Sequence, residues 1–175
     1  GVQHEDSNDA LYTTLGDVTA AVEALGLGEQ GRYMAALTFG NVHGVYKPGN
    51  VKLTPKILKN SQEFIQKKFN TGHNAVSFVF HGGSGSTREE IRETIEYGAV
   101  KMNLDTDLQW AFWDGIRAFY AAKKDYLQGQ LGNPEGADAP NKKFYDPRVW
   151  LRHGEESFVK RLKQSFEDLN CLNRN

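Results

Sequence analysis

His43 and His81 stand 38 residues apart, each immediately beyond an apolar run of the chain. If those runs are neighbouring strands, the two imidazoles meet, and neutral imidazole is a good zinc ligand. A catalytic zinc normally takes three protein ligands, so the pair is not sufficient. The third comes from outside this chain or from a residue without an obvious signal. The alternative is that both are ordinary hydrogen-bonded histidines, as His4, His73 and His153 are read from their polar or helical settings.

The run HGGSGSTREE carries a second chemistry. Glycine frees backbone N–H groups, and with the N-terminus of a following helix these form an anion site suited to phosphate. No Gly-Lys-Ser/Thr closes the run, and Arg88 occupies the last glycine position of G-x-G-x-x-G, so no nucleotide motif is present. A turn requiring positive φ at several glycines explains the run equally well. Lys47, beside Pro48-Gly49, is a phosphate-reaching cation or a solvated lysine. Asn103 and Asp105 alternate with apolar neighbours and therefore face the same side of a strand end.

These residues need elements to position them. Met34 to Phe39, Val76 to Phe80 and Ala99 to Leu104 read as buried strands. Between them lie helical patterns. A short amphipathic stretch covers Asp17 to Leu27 and precedes the first strand. Thr54-Pro55 opens a helix with Ile57, Leu58, Phe64 and Ile65 on its apolar face and Lys67 and Lys68 near its end. Thr87 and Glu90 form a capping box for a helix stopped by Gly98. Asp105 or Thr106 caps a longer one carrying Leu108, Phe112, Ile116, Phe119 and Tyr120. Residues 128–141 are rich in Gly and Pro and read as an irregular surface loop. Residues 142–175 form a C-terminal helical segment, with a helix from about Glu155 to Leu169 and Phe158, Leu162, Phe166 and Leu169 on one stripe.

Alternating strands and helices imply parallel pairing and an α/β fold. In such folds ligands gather beyond the C-terminal strand ends, where His43, His81 and Asn103 all fall. Three strands cannot close a barrel, and a complete (β/α)8 barrel has about 250 residues. One domain is expected over residues 1–175, and if the fold is a barrel the chain is the latter part of one.

Composition narrows the function. The chain has 175 residues, with 21 Lys+Arg against 22 Asp+Glu, a net charge of −1 that argues against a broad nucleic-acid-binding surface. Its 39% hydrophobic content supports a packed core. No run approaches the roughly 18 apolar residues of a membrane helix, and no leader is evident in the first ten residues. A soluble, cytoplasmic protein is expected. Cys171 is the single cysteine, which excludes an internal disulfide and a multi-cysteine zinc site. The chain opens at Gly1 and its first methionine is Met34, so it is expected to be a processed product or a piece of something longer.

The runs FGNVHGVYKPGNV, FVFHGGSGST, YGAVKMNLDTDLQWAFW, YLQGQLGNPEG and PNKKFYDPRVWLR span most of the chain. Together they resemble the C-terminal half of the class II, zinc-dependent fructose-1,6-bisphosphate aldolases of the class IIA type. The resemblance implies the C-terminal part of a (β/α)8 TIM barrel with a C-terminal helical extension. It implies reversible cleavage of fructose 1,6-bisphosphate to dihydroxyacetone phosphate and glyceraldehyde 3-phosphate, a step of glycolysis and gluconeogenesis, with zinc stabilising the enediolate. His43 and His81 become two of three zinc ligands. Gly44, Lys47, Gly82, Gly83, Ser84, Asn103, Leu104, Asp105 and Thr106 become substrate contacts, most of them to phosphate. Val42, Gly44 and Gly82 resemble a monovalent-cation site for K+ or Na+. Arg148 resembles the arginine that reaches a second phosphate across a homodimer.

The remaining zinc histidine, the aspartate that transfers the proton and a mobile-loop glutamate belong upstream of Gly1 in the family's pattern. Hence no catalytic acid is assigned within the chain, which is expected to be inactive alone and to need its first half, covalently or as a companion chain. GVQHEDSNDALYT resembles the tail of the mobile loop. Exposed sheet edges would then favour aggregation. Two competing readings are a tagatose-bisphosphate aldolase and a non-catalytic sugar-phosphate-binding module, which would bind phosphate esters without zinc.

Overall fold

The computed structural model describes residues 12–29, 31–41 and 53–174. Among them, three parallel strands form one sheet in the order β1-β2-β3, with β1 Met34–Ala35, β2 Ser77–Phe80 and β3 Ala99–Met102. Helices α1 (Leu15–Leu25), α2 (Lys56–Phe69), α3 (Arg88–Glu96) and α4 (Thr106–Lys123) alternate with them. The α/β reading is therefore correct. Parallel neighbours require helical crossovers, and α2 and α3 supply them.

The chain divides into two compact units. The first comprises Gly1–Asp105 with Asp168–Asn170, and the second Thr106–Glu167 with Cys171–Asn175. The core of the first unit gathers Val18, Val22, Leu37, Phe39, Leu58, Ile65, Val76, Phe78, Phe80 and Ile91. Phe39 and Phe80 meet at 5.0 Å between ring centroids.

Several element boundaries differ from the sequence reading. The run expected as a strand from Met34 to Phe39 pairs with β2 only through Met34 and Ala35. Its far end turns instead to an antiparallel bridge between Phe39 and Tyr12, with Thr13 N donating to Thr38 O at 2.7 Å. On α2 the buried line is Leu58, Ser61, Gln62 and Ile65, and Phe64 is only partly buried. The two polar residues are tolerated there because both are bonded: Ser61 Oγ donates to Ile57 O, and Gln62 Nε2 donates to Val76 O at 2.7 Å. α1 begins at Leu15 because Thr14 and Asp17 form a second capping box.

In the second unit, residues 128–141 are not irregular. They hold a hairpin of β4 (Leu131–Asn133) and β5 (Gly136–Pro140). Its turn has Pro134 and Gly136 where a tight turn accepts them, and Asn133 Oδ1 accepts the Glu135 N–H at 2.8 Å. Asn141, fully buried, closes the base: its Nδ2 donates to Gly129 O and Gly132 O, and its Oδ1 accepts from Asn133 Nδ2. One amide side chain supplies the order that composition conceals.

A short helix, α5 (Lys142–Tyr145), leads into α6 (Pro147–Asp168), which starts eight residues earlier than the sequence reading. Asp146-Pro147 is the start signal: proline suits the first helical position, and Asp146 Oδ1 accepts the Arg148 N–H at 3.0 Å. Tyr120 and Phe166, expected on apolar faces, are nearly half exposed, and Phe119 is the buried residue of α4. His153 is exposed and stacks on Phe119 at 4.5 Å. Trp110, Trp113 and Trp150 all belong to this second unit. No helix among the described residues is long and apolar enough to cross a membrane.

Candidate functional site

The chemistry-bearing residues of the first unit collect where β2 and β3 end. Phe80 pairs with Met102, and the hydrogen bonding continues past the ladder. Asn103 N donates to Phe80 O at 2.9 Å, and Gly83 N donates to Asn103 O at 3.1 Å. His81 and Asn103 are thereby set side by side, with Asn103 Nδ2 lying 2.8 Å from His81 Nδ1. That contact fixes the orientation of the imidazole ring beside Asn103.

The segment that follows β1 contributes to the same joint. Asn41 Nδ2 donates to His81 O at 3.0 Å while its Oδ1 accepts the Phe39 N–H at 2.8 Å. Asn41 carries no signal in the sequence beyond its place just after an apolar run, and sequence reasoning passes over it. Met102 is a second residue missed there. Its side chain occupies the space a Cβ on Gly83 would need, so Gly83 is glycine for lack of room.

The loop from Gly82 to Ser86 turns through Gly82 at φ 63° and Gly85 at φ 82°, a region that favours glycine. Ser86 N donates to Gly83 O, and the chain enters α3 through the capping box: Glu90 N to Thr87 Oγ1 at 3.2 Å, and Thr87 N to Glu90 Oε2 at 2.8 Å. The glycine loop thus runs from His81 directly into the capped N-terminus of α3. Such an arrangement attracts anions.

The structure therefore joins His81, Gly82, Gly83 and Ser84 to Asn103, Leu104 and Asp105 on paired strand ends. His81, Asn103 and Leu104 are partly buried, and Asp105 is exposed. Thr106 opens α4 and counts with the second unit, as does Arg148. The Arg148 guanidinium grips Asp146 through Nε at 2.9 Å and Nη2 at 2.5 Å, yet its side chain is 87% exposed. That hydrogen bonding holds the Asp146 carboxyl down at about 2. Val42, His43, Gly44 and Lys47 lie outside the described residues. Among the described residues no group of three His, Cys, Asp or Glu side chains could hold a metal. Cys171 is exposed and forms no disulfide.

Comparison with known proteins gives this geometry a context. Residues 1–174 match the family model described as fructose-bisphosphate aldolase class-II. The chain is 62% identical over 173 residues to a fructose-bisphosphate aldolase of Haemophilus influenzae, covering 98% of this chain and 48% of that protein. It is 57% identical to the fructose-bisphosphate aldolase class 2 of Escherichia coli K12, covering 97% and 46% respectively. A crystal structure of the fructose-bisphosphate aldolase of Campylobacter jejuni superposes with a TM-score of 0.85 at 56% identity, over 98% of this chain and 50% of that one. The chain spans about half the length of the relatives it matches.

Proposed function

Since this chain belongs to the class-II fructose-bisphosphate aldolase family, we propose that it supplies the phosphate-binding and part of the metal-binding half of an aldolase that reversibly cleaves fructose 1,6-bisphosphate. The products are dihydroxyacetone phosphate and glyceraldehyde 3-phosphate, as in glycolysis and gluconeogenesis. The observation that carries the reading is the joint at the β2 and β3 ends, where His81 and Asn103 touch beside a glycine loop that feeds a capped helix.

In this reading the chain forms the C-terminal part of a (β/α)8 barrel, with residues 142–175 as a helical extension. Gly82, Gly83 and Ser84, with the start of α3, line the site for the phosphate of dihydroxyacetone phosphate, together with Asp105, Thr106, Gly44 and Lys47. Fixing that phosphate orients the bond to be broken. Asn103 and Leu104 lie along the reacting end of the substrate.

His81 and His43 hold zinc with a histidine from the upstream half. His81 is placed for the task, its ring beside the Asn103 amide and its main chain held by Asn41. A bound zinc ion supplies Lewis acidity to the carbonyl and hydroxyl oxygens of the substrate. Carbonyls of Val42, Gly44 and Gly82 form the site for K+ or Na+. No group that moves the proton is assigned within this chain. Exposed Arg148 reaches the second phosphate across a homodimer, and the enzyme works in the cytoplasm.

The test uses the intact enzyme containing this chain. Cleavage of fructose 1,6-bisphosphate should fall by about 10²–10³-fold or more when His81 becomes Ala, the scale on which electrostatic transition-state contacts act. Asn103→Ala should cost about 10–100-fold, as for removal of a residue that orients a metal ligand. A chelator should abolish activity and zinc restore it. Faster cleavage of the tagatose epimer would reassign the substrate, and chelator-insensitive binding of phosphate esters without cleavage would leave a binding module.

A further inference from the structure

Two arginines of α3 converge on one residue far along the chain. Arg88 Nε donates to Asp168 Oδ1 at 2.9 Å, and Arg92 Nε donates to Asp168 O at 2.6 Å. They are one helical turn apart, so they share a face of α3. Asp168 is thus held by both its carboxylate and its main-chain carbonyl. The adjoining Leu169 packs on the core of the first unit. Asp168–Asn170 belongs to that unit although 62 intervening residues of the chain, Thr106–Glu167, do not.

The chemistry of each contact is specific. Arg88 is the first residue of α3, where the helix dipole favours anions and a guanidinium is out of place unless paired. Asp168 pairs it with a carboxylate that is only 14% exposed, against 49% for Arg88. Asp168 O is the last carbonyl of α6, a helix end that lacks an intrahelical donor and favours a cation, and Arg92 meets both needs. Arg88 also follows directly on Thr87, the cap that ends the glycine loop.

We propose that Asp168 is a positioning residue for phosphate binding: with Arg88 and Arg92 it anchors the N-terminal turn of α3, and through it the Gly82–Ser86 loop. The loop is then tied at both ends, by Gly83 N to Asn103 O on one side and by the α3 anchor on the other. A loop held in its binding conformation before the ligand arrives loses less entropy on binding. Asp168 makes no contact with substrate and acts only through α3. The inference rests on the phosphate role assigned above to this loop.

The experiment compares the full-length enzyme with its Asp168→Asn and Asp168→Glu variants, reading kcat and KM for fructose 1,6-bisphosphate, the inhibition constant of inorganic phosphate, and the thermal midpoint. Asp168→Asn keeps the shape and the carbonyl bond to Arg92 while removing the charge, so folding is preserved. Expected are a rise of about tenfold in both KM and the phosphate inhibition constant, a size typical of lost outer support to a ligand-binding group, with kcat within about twofold. Asp168→Glu should recover part of the loss. A lowered thermal midpoint with unchanged KM would reduce the contact to a structural tie and overturn the proposal. A lower KM would overturn it too, since Asp168 would then be restraining Arg88 from binding the phosphate itself. A wild-type enzyme that ignores both substrate and phosphate would overturn the role of the loop, a failure distinct from that of Asp168.

Discussion

In the first unit Gly85 sits at φ 82° with open space where a Cβ would go, whereas in the second unit a Cβ on Gly115 would run into the carbonyl oxygen of His153 and lie 2.8 Å from Ser157 Cβ. One glycine is required by backbone shape and the other by the closeness of α4 and α6. Where the chain must present main-chain N–H groups to a ligand, glycine leaves the surface open. Where two helices must touch, it removes volume and lets main chain lie against main chain. The same residue type therefore marks a binding loop in one unit and a packing seam in the other.

Substitution separates the two uses. Gly115→Ala should be the most damaging change, destabilising the second unit by about 3 kcal/mol, the upper end for overpacking, because the obstacle is a backbone carbonyl that cannot rotate away. Gly154→Ala meets only the side chains of Phe112 and Ile116 at 3.0–3.1 Å and should cost about 1 kcal/mol. Urea unfolding of both variants checks the order, and equal midpoints would break the distinction. In the first unit, Gly85→Ala should cost about 1–2 kcal/mol from the backbone alone and weaken phosphate inhibition of the intact enzyme. If stability falls and phosphate inhibition does not, the loop is a turn and nothing more.

The smallest effect concerns the start of α6. Hydrogen bonding from Arg148 holds Asp146 at about 2, below its ordinary value. A carboxyl depressed in the folded state adds stability above its unfolded pKa, near 4, and that contribution disappears as the pH falls through about 2. Arg148→Ala should return the Asp146 carboxyl toward the ordinary range in an NMR titration and remove the acid-side contribution. A titration unmoved by the substitution would detach the pair from the helix start.

The sequence was readable where local chemistry and tertiary context agree. The Thr87–Glu90 capping box, the Pro55 helix start and the apolar runs Val76 to Phe80 and Ala99 to Leu104 all announced their elements, and the alternation of strand and helix announced parallel pairing. It misled where a distant partner decides. Gly and Pro in 128–141 read as an irregular surface loop because the buried Asn141 that organises the hairpin looks like any loop asparagine. The run after Ala35 reads as strand because nothing local reveals that Tyr12 and Thr13 compete for its hydrogen bonds. At the site, His81, Gly83 and Asn103 stood out by type and position. Asn41 did not, since its role is to bridge Phe39 and His81, residues 42 apart in the chain.

Because Trp110, Trp113 and Trp150 all fall in the second unit, the two halves of this molecule differ in what light they emit. Indole fluorescence follows the unit built on α4 and α6, while circular dichroism follows the helices and strands of both units. Two unfolding curves recorded on one sample would coincide if the units melt together and part if each melts alone. The placement of three side chains thus gives the protein a built-in optical reporter for one of its units.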